Sequence, residues 1–211
     1  MPKRKPATCA LCGQFRLTTQ EHVIPDCLYP ASKASSKVQR ITIRACESCN
    51  NGSSDDDVHF RNVVSLAGEP NEVAREIIDG KFLRSLRYGD GARRARDVFN
   101  IMRPAHDVGS NHWRIFPADD PRILCSVRKI VRGLSHHHGI RSAVPDVEVT
   151  ADVARMPLDP ELVREMTVSH AEPDIIEYRY LSDDDFESLW WLRFFGRTDF
   201  YAVISPAKIG A

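Results

Sequence analysis

The chain has 211 residues, 42% of them hydrophobic, and carries 29 basic against 29 acidic residues. That length and apolar content suffice for a buried core, in one large domain or two unequal ones, and the balanced charge excludes a polycationic, histone-like binder. No apolar segment follows Met1-Pro2-Lys3-Arg4-Lys5 and no run of 18 apolar residues occurs. Secretion and membrane insertion are therefore not expected, and a reducing cytoplasm is the expected compartment, where paired cysteines mean metal rather than disulfide. Charge is uneven along the chain: residues 1–64 hold nine Lys/Arg against six acids, which favours a nucleic-acid partner.

In chain order, residues 2–6 read as a disordered basic arm, and Cys9-x2-Cys12 forms a first knuckle. Residues 18–24 read as a strand that delivers His22, and 25–37, rich in Pro, Ser, Ala and Lys, as an exposed loop. A second strand is expected over 38–44, where Val38, Ile41 and Ile43 are β-branched. Cys46-x2-Cys49 follows, and then a helix over 50–66, giving the order strand, strand, knuckle, helix. Further on, 71–79 and 94–102 read as helices. Asp120-Pro121 offers an N-cap and a first-turn proline for a helix through Leu134, whose Ile123, Leu124, Val127, Ile130, Val131 and Leu134 keep helical spacing. Asp159-Pro160 starts a short helix, and 174–181, 188–195 and 200–204 read as strands, the last two joined in a hairpin through Gly196-Arg197-Thr198-Asp199. The expected fold class is α+β, with an N-terminal module over 1–66 and a helical and antiparallel companion region over 67–211.

The two cysteine pairs can close one tetrahedral site with four thiolates, Cys9, Cys12, Cys46 and Cys49. Such a site has no open position for substrate, so its Zn²⁺ would be structural and the chemistry must lie elsewhere. Between the pairs stand Glu21-His22-Val23-Ile24-Pro25, and Asn50 follows the second pair directly. Hydrolysis of a phosphodiester needs a base for water and a divalent cation for the phosphate. Imidazoles titrate near neutrality and suit the first task, while the oxygens of Glu21 and Asn50 suit Mg²⁺ or Mn²⁺ for the second. Neighbours on a strand point to opposite faces, so Glu21 and His22 can share one site only where the strand bends or ends.

Cys9-x2-Cys12, Glu21-His22-Val23-Ile24-Pro25 and Cys46-Glu47-Ser48-Cys49-Asn50-Asn51 together resemble the HNH endonuclease superfamily, the ββα-metal or His-Me finger nucleases, in zinc-ribbon form. The match covers about the first 65 positions. It is most similar to uncharacterised bacterial members with a pattern like Cys49-Asn50-Asn51-Gly52-Ser53-Ser54-Asp55-Asp56-Asp57, a later helix like Arg128-Lys129-Ile130-Val131-Arg132-Gly133-Leu134, and an aromatic C-terminal hairpin. The resemblance implies that His22 is the general base and that Glu21 and Asn50 hold the catalytic cation, Mg²⁺ or Mn²⁺, with Ni²⁺ a further option. It implies hydrolysis of DNA, double-stranded by expectation, to 5′-phosphate and 3′-hydroxyl ends; members that cut both strands often act as homodimers. One departure stands out: the asparagine that many family members carry on the second strand to brace the catalytic loop is absent from 38–45, so the task passes to Thr42 or Gln39 or the brace is simply missing. His59 sits where related sequences carry an aromatic residue and is not assigned to the cation.

Several residues keep two readings. Asp57, about two helical turns beyond Asn50, either adds a ligand to the cation or belongs with Asp55 and Asp56 to a solvated helix start. Arg128, Lys129 and Arg132, with Arg44, either contact DNA phosphates or are solvated surface. His136, His137 and His138 suit a helix C-terminus more than a metal tract, and Trp190, Trp191, Phe194 and Phe195 suit core and hairpin packing. The alternative for the whole chain is a non-catalytic zinc-ribbon module that binds nucleic acid or a protein.

Overall fold

A computed structural model describes residues 4–35, 40–51, 54–104, 113–115, 120–183 and 187–206. The chain is a mixed α+β protein whose central element is a helix, α6 (Pro121–His137). Three antiparallel strands, β1 (Lys5–Thr8), β2 (Phe15–His22) and β3 (Thr42–Cys46), form a small sheet in the order β1-β2-β3. Helices α1 (Glu47–Asn51) and α2 (Ser54–Leu66) follow, then α3 (Glu72–Ile77), α4 (Leu83–Ser85) and α5 (Gly91–Phe99). A short hairpin of β4 (Met102–Pro104) and β5 (Trp113–Ile115) precedes α6. After it come β6 (Val149–Val153), α7 (Pro160–Glu165), β7 (Thr167–Glu172), β8 (Ile176–Ser182), β9 (Ser188–Phe194) and β10 (Thr198–Ile204). The five strands form an antiparallel sheet in the order β6-β10-β9-β8-β7.

Helix α6 begins where the sequence signals place it. The Asp120 carboxylate accepts a hydrogen bond from the Arg122 amide, and Pro121 occupies the first turn, where a missing N–H costs nothing. Ile123, Val127, Ile130, Val131 and Leu134 are all essentially inaccessible. They are buried because α6 packs against α2 and β3 on one side and β6 and β10 on the other. Strands β9 and β10 alternate buried and half-buried residues along their length, sending Trp190, Leu192, Phe194, Phe200, Ala202 and Ile204 inward. Phe60 of α2 meets Phe194 edge to face at 5.0 Å and Phe200 at 6.0 Å. Residues from both the first 66 positions and the remainder thus enter one continuous apolar cluster.

Several local expectations shift. Part of the basic arm is strand β1, paired with β2 from Lys5 opposite Thr18 to Thr8 opposite Phe15. The second strand starts at Thr42, later than expected, and residues 36–39, including Gln39, lie outside the described residues. The loop after His22 is not exposed, since Leu28 and Tyr29 are buried and two 3₁₀ turns, Asp26–Leu28 and Ala31–Ser35, shape it. The helix over 71–79 continues through a π turn, Ile78–Phe82, into α4. Strands β6 and β7 add to the two outer edges of the three expected strands, β6 beside β10 and β7 beside β8, and complete a five-stranded sheet. Trp190, Phe194 and Phe195 lie in the core as expected, while Trp191 faces outward under the guanidinium of Arg193, 4.7 Å from its ring.

Gly133 marks the closest approach of α6 to the small sheet. A Cβ there would stand 2.9 and 3.0 Å from the two γ-carbons of Val23, next to His22. Val23 is buried and β-branched, so it has little room to turn away. Gly133→Ala should therefore destabilise the fold by about 1–3 kcal/mol, read as a lowered Tm in thermal unfolding.

Candidate metal centre and the Glu21–Lys129–Asp57 cluster

The first knuckle hangs between β1 and β2, and the second closes β3 and opens α1. Gly13 takes a left-handed backbone (φ 72°) as its N–H returns to the Cys9 carbonyl, so the knuckle turns sharply where a side chain would be strained. The Cys46 amide points at the Cys9 sulfur at 3.4 Å, and the sulfurs of Cys12 and Cys46 are 3.8 Å apart. All four sulfur atoms lie within 4.8 Å of one another. Tetrahedral zinc at about 2.3 Å from each sulfur needs edges of about 3.8 Å, so the four cysteines could hold a structural ion such as zinc. Burial raises the thiols of Cys12 and Cys49; burial would also raise Cys46, but hydrogen bonds from Ser48 and the Cys49 backbone hold it at about 6. Four thiolates in this space are sustainable only around a cation. Among the described residues, no other group of three or more His, Cys, Asp or Glu side chains converges in this way.

Glu21, His22 and Asn50 stand at the far end of β2 and the start of the helices. Register places His22 opposite Thr42 and Gln20 opposite Arg44 on one face of the sheet, and Glu21 opposite Ile43 and Thr19 opposite Ala45 on the other. The face bearing Glu21 meets α6. β2 ends at His22, the place where a strand must end if two neighbours are to serve one site. The Asn50 side chain donates to the Thr19 hydroxyl at 2.8 Å, which sets it on the Glu21 side and leaves its carbonyl oxygen for another partner. Nδ1 of His22 is buried and has no hydrogen-bond partner among the described residues.

Asp57, at the end of the first turn of α2, is turned inward rather than lying with the solvated acids. The Lys129 ammonium stands between it and Glu21, 2.7 Å from Glu21 Oε1 and 3.2 Å from Asp57 Oδ2, with all three side chains at most 15% exposed. Burial raises the carboxyls of both Glu21 and Asp57 above their ordinary values, against the pull of Lys129. For Lys129 burial works downward, but Asp57 and Glu21 outweigh it and the amine is raised. The second oxygen of Asp57, Oδ1, is buried without a hydrogen bond of ordinary geometry among the described residues, and the Ser126 hydroxyl of α6, likewise buried and unpaired, acts on the same carboxylate and lowers its pKa.

The four cations considered for phosphate contact have different surroundings. Lys129 is buried in this cluster; Arg128 pairs with Asp146 at 3.0 Å. Arg132 donates to the carbonyls of Val144 at 2.6 Å and Leu11 at 2.8 Å, tying α6 to the first knuckle. Arg44, half-buried, shares the face of His22. His59 is buried 2.8 Å from Asp120, which also binds Arg122, and so fastens α2 to the start of α6. His138 caps α6 and meets the Tyr178 hydroxyl at 2.9 Å.

Sequence reasoning missed the brace of the loop after His22. Lys81, from the π turn, donates to the carbonyls of Cys27 at 3.2 Å and Tyr29 at 2.7 Å. Glu76 accepts from the Ser32 amide and hydroxyl, and Lys33 meets Glu172 and Asp174. A lone lysine far along the chain carries no local pattern that would mark it as a loop brace. Beside this loop a cleft of 460 Å³ opens between β3 and the large sheet, with Arg40, Thr42, His137 and His170 on its walls and no acid among its lining residues.

No family model matches the chain, and neither a curated protein nor a solved structure does. Among the described residues, no helix is long and apolar enough to cross a membrane.

The cysteine geometry predicts one zinc per chain by elemental analysis. Stripping it with a strong chelator should unfold the small sheet, since a structural zinc contributes about 10–16 kcal/mol at neutral pH; circular dichroism and Tm would show the loss.

Proposed function

We propose that the protein is a metal-dependent endonuclease that hydrolyses DNA phosphodiester bonds in the manner of the HNH superfamily. The observation that carries the reading is the pairing of two inward carboxylates, Glu21 and Asp57, at the end of the strand whose last residue is His22, with its Nδ1 buried and unpaired among the described residues. Buried polar groups are nearly always hydrogen-bonded, so an unpaired one calls for an explanation, and an ion or a catalytic role is one of those open to His22. The donor set suits a hard divalent cation: carboxylate oxygens of Glu21 and Asp57, one of the latter without a hydrogen bond of ordinary geometry among the described residues, and the carbonyl of Asn50. Such a cation would neutralise charge on the phosphate and the departing 3′-oxygen. His22 takes the proton of the attacking water, held in place by the end of β2 and the braced loop. The cleft beside Thr42, with Arg40, His137 and His170 among its lining residues and no acid there, is the approach we assign to a nucleic-acid strand, since Thr42 pairs with His22. Arg44 lies on the same face of the sheet as His22, which supports assigning it a phosphate contact.

A non-catalytic module is favoured by a different observation. Lys129 already neutralises much of the charge between Glu21 and Asp57, which is what a retired cation site would look like. Plasmid cleavage by the zinc-loaded protein in Mg²⁺, Mn²⁺, Ni²⁺ or excess EDTA separates the two readings. The nuclease reading predicts cation-dependent nicking that His22→Ala lowers about 10²–10⁴-fold while leaving Tm and zinc content unchanged. Equal behaviour of wild type and His22→Ala, with DNA bound by both, would establish the binding module instead.

A further inference from the structure

Lys129 is one of the few charges that this protein keeps inside, and it comes from the companion region rather than from the strands and helix it serves. We propose that Lys129 governs cation entry at Glu21 and Asp57: its ammonium stands in the place of a divalent cation, and the cation binds by displacing it. The inference rests on Glu21 being a cation ligand, as in the proposed function.

Geometry and charge both lead there. An ammonium 2.7 and 3.2 Å from two carboxylate oxygens has the arrangement of a cation between its ligands, at hydrogen-bond rather than metal–oxygen length. Two carboxylates share one ammonium, burial works against the charge of both, and Asp57 Oδ1 is buried without a hydrogen bond of ordinary geometry among the described residues, the Ser126 hydroxyl acting on its carboxylate beside Lys129. A divalent ion would balance both carboxylates and could use that oxygen. The lysine stem is a flexible four-carbon chain, so the ammonium can leave without moving α6. Gly133, one helical turn beyond, brings the α6 backbone against Val23, so the helix that carries Lys129 stays firmly seated while the stem swings. Once displaced, the ammonium remains beside a site that handles phosphate, where a positive charge favours the transition state.

The test is Mn²⁺ binding to the full, zinc-loaded chain by titration calorimetry, without nucleic acid. Lys129→Met should bind Mn²⁺ at least about tenfold tighter than wild type, the direction expected when a competing cation is removed, and Glu21→Gln combined with Lys129→Met should lose that gain. Equal affinity in wild type and Lys129→Met, or no binding in either, would overturn the proposal. Should Lys129→Met not fold, the wild type carries the test through reductive methylation of lysines read by peptide mass mapping. Lys129 should react slowly alone and several-fold faster with Mn²⁺; one rate in both conditions would overturn the proposal. Cleavage does not enter these readouts. Tighter Mn²⁺ binding in Lys129→Met by a protein that cuts nothing would sink the nuclease reading and leave the role of Lys129 standing. Cation-dependent cleavage with unchanged Mn²⁺ affinity would do the reverse.

Discussion

A full positive charge buried between two acids fixes how the parts of this protein meet. Lys129 belongs to α6, Glu21 to β2 and Asp57 to α2, so one ammonium ties the central helix to both the small sheet and the helix after it. Removing one member of such a group leaves a desolvated charge without a partner, at a cost of about 3–5 kcal/mol. The rest of α6 is held in a register consistent with that contact. Its start is fastened through Asp120 to His59 of α2, and its last turns are tied through Arg132 to the carbonyl of Leu11 in the first knuckle. Apolar packing supplies most of the stabilisation, but it is non-directional; the polar contacts select one placement of the helix.

The same arrangement makes the small sheet and its cysteine knuckles dependent on the later two thirds of the chain. The loop after His22 is held by Lys81, by Glu76 and by Glu172 with Asp174, all from the companion region. Phe60 of α2 fills the space between Phe194 and Phe200 of the large sheet. A boundary near residue 66 divides the motifs from the rest, but the apolar cluster runs through it without a break. The support of the loop after His22 is borrowed from helices and strands that carry no motif of their own.

What the sequence made legible is what depends on neighbours a few positions away. The two CxxC pairs announce a metal site because the ligand spacing is local, and the sulfurs do converge. Asp120-Pro121 and the apolar spacing through Leu134 announce α6 because capping and periodicity are local too. The strands at the sheet edges are harder to read. β1 (Lys5–Thr8) has Pro2 and Pro6 as loop signals and hides within a basic segment, while β7 (Thr167–Glu172) is largely polar and gains its identity from pairing with β8. The candidate site is legible only in its N-terminal half. Glu21, His22 and Asn50 are marked by their motif, but Lys129 looks like part of a solvated basic face until α6 is seen to turn it toward two acids. Lys81 gives no signal at all, since a lysine that caps carbonyls of a distant loop is indistinguishable in sequence from one in solvent.

The proposed function requires a second, exchangeable cation between Glu21 and Asp57, apart from any metal held by the four cysteines. Anomalous diffraction from crystals of the zinc-loaded protein soaked in Mn²⁺, collected on both sides of the zinc and manganese edges, tests it most directly. The account predicts zinc among Cys9, Cys12, Cys46 and Cys49, and manganese between Glu21 and Asp57 with the Lys129 ammonium turned away. Zinc at the cysteines with no manganese beside Glu21, and Lys129 still bridging the two acids at full soaking concentration, would contradict it.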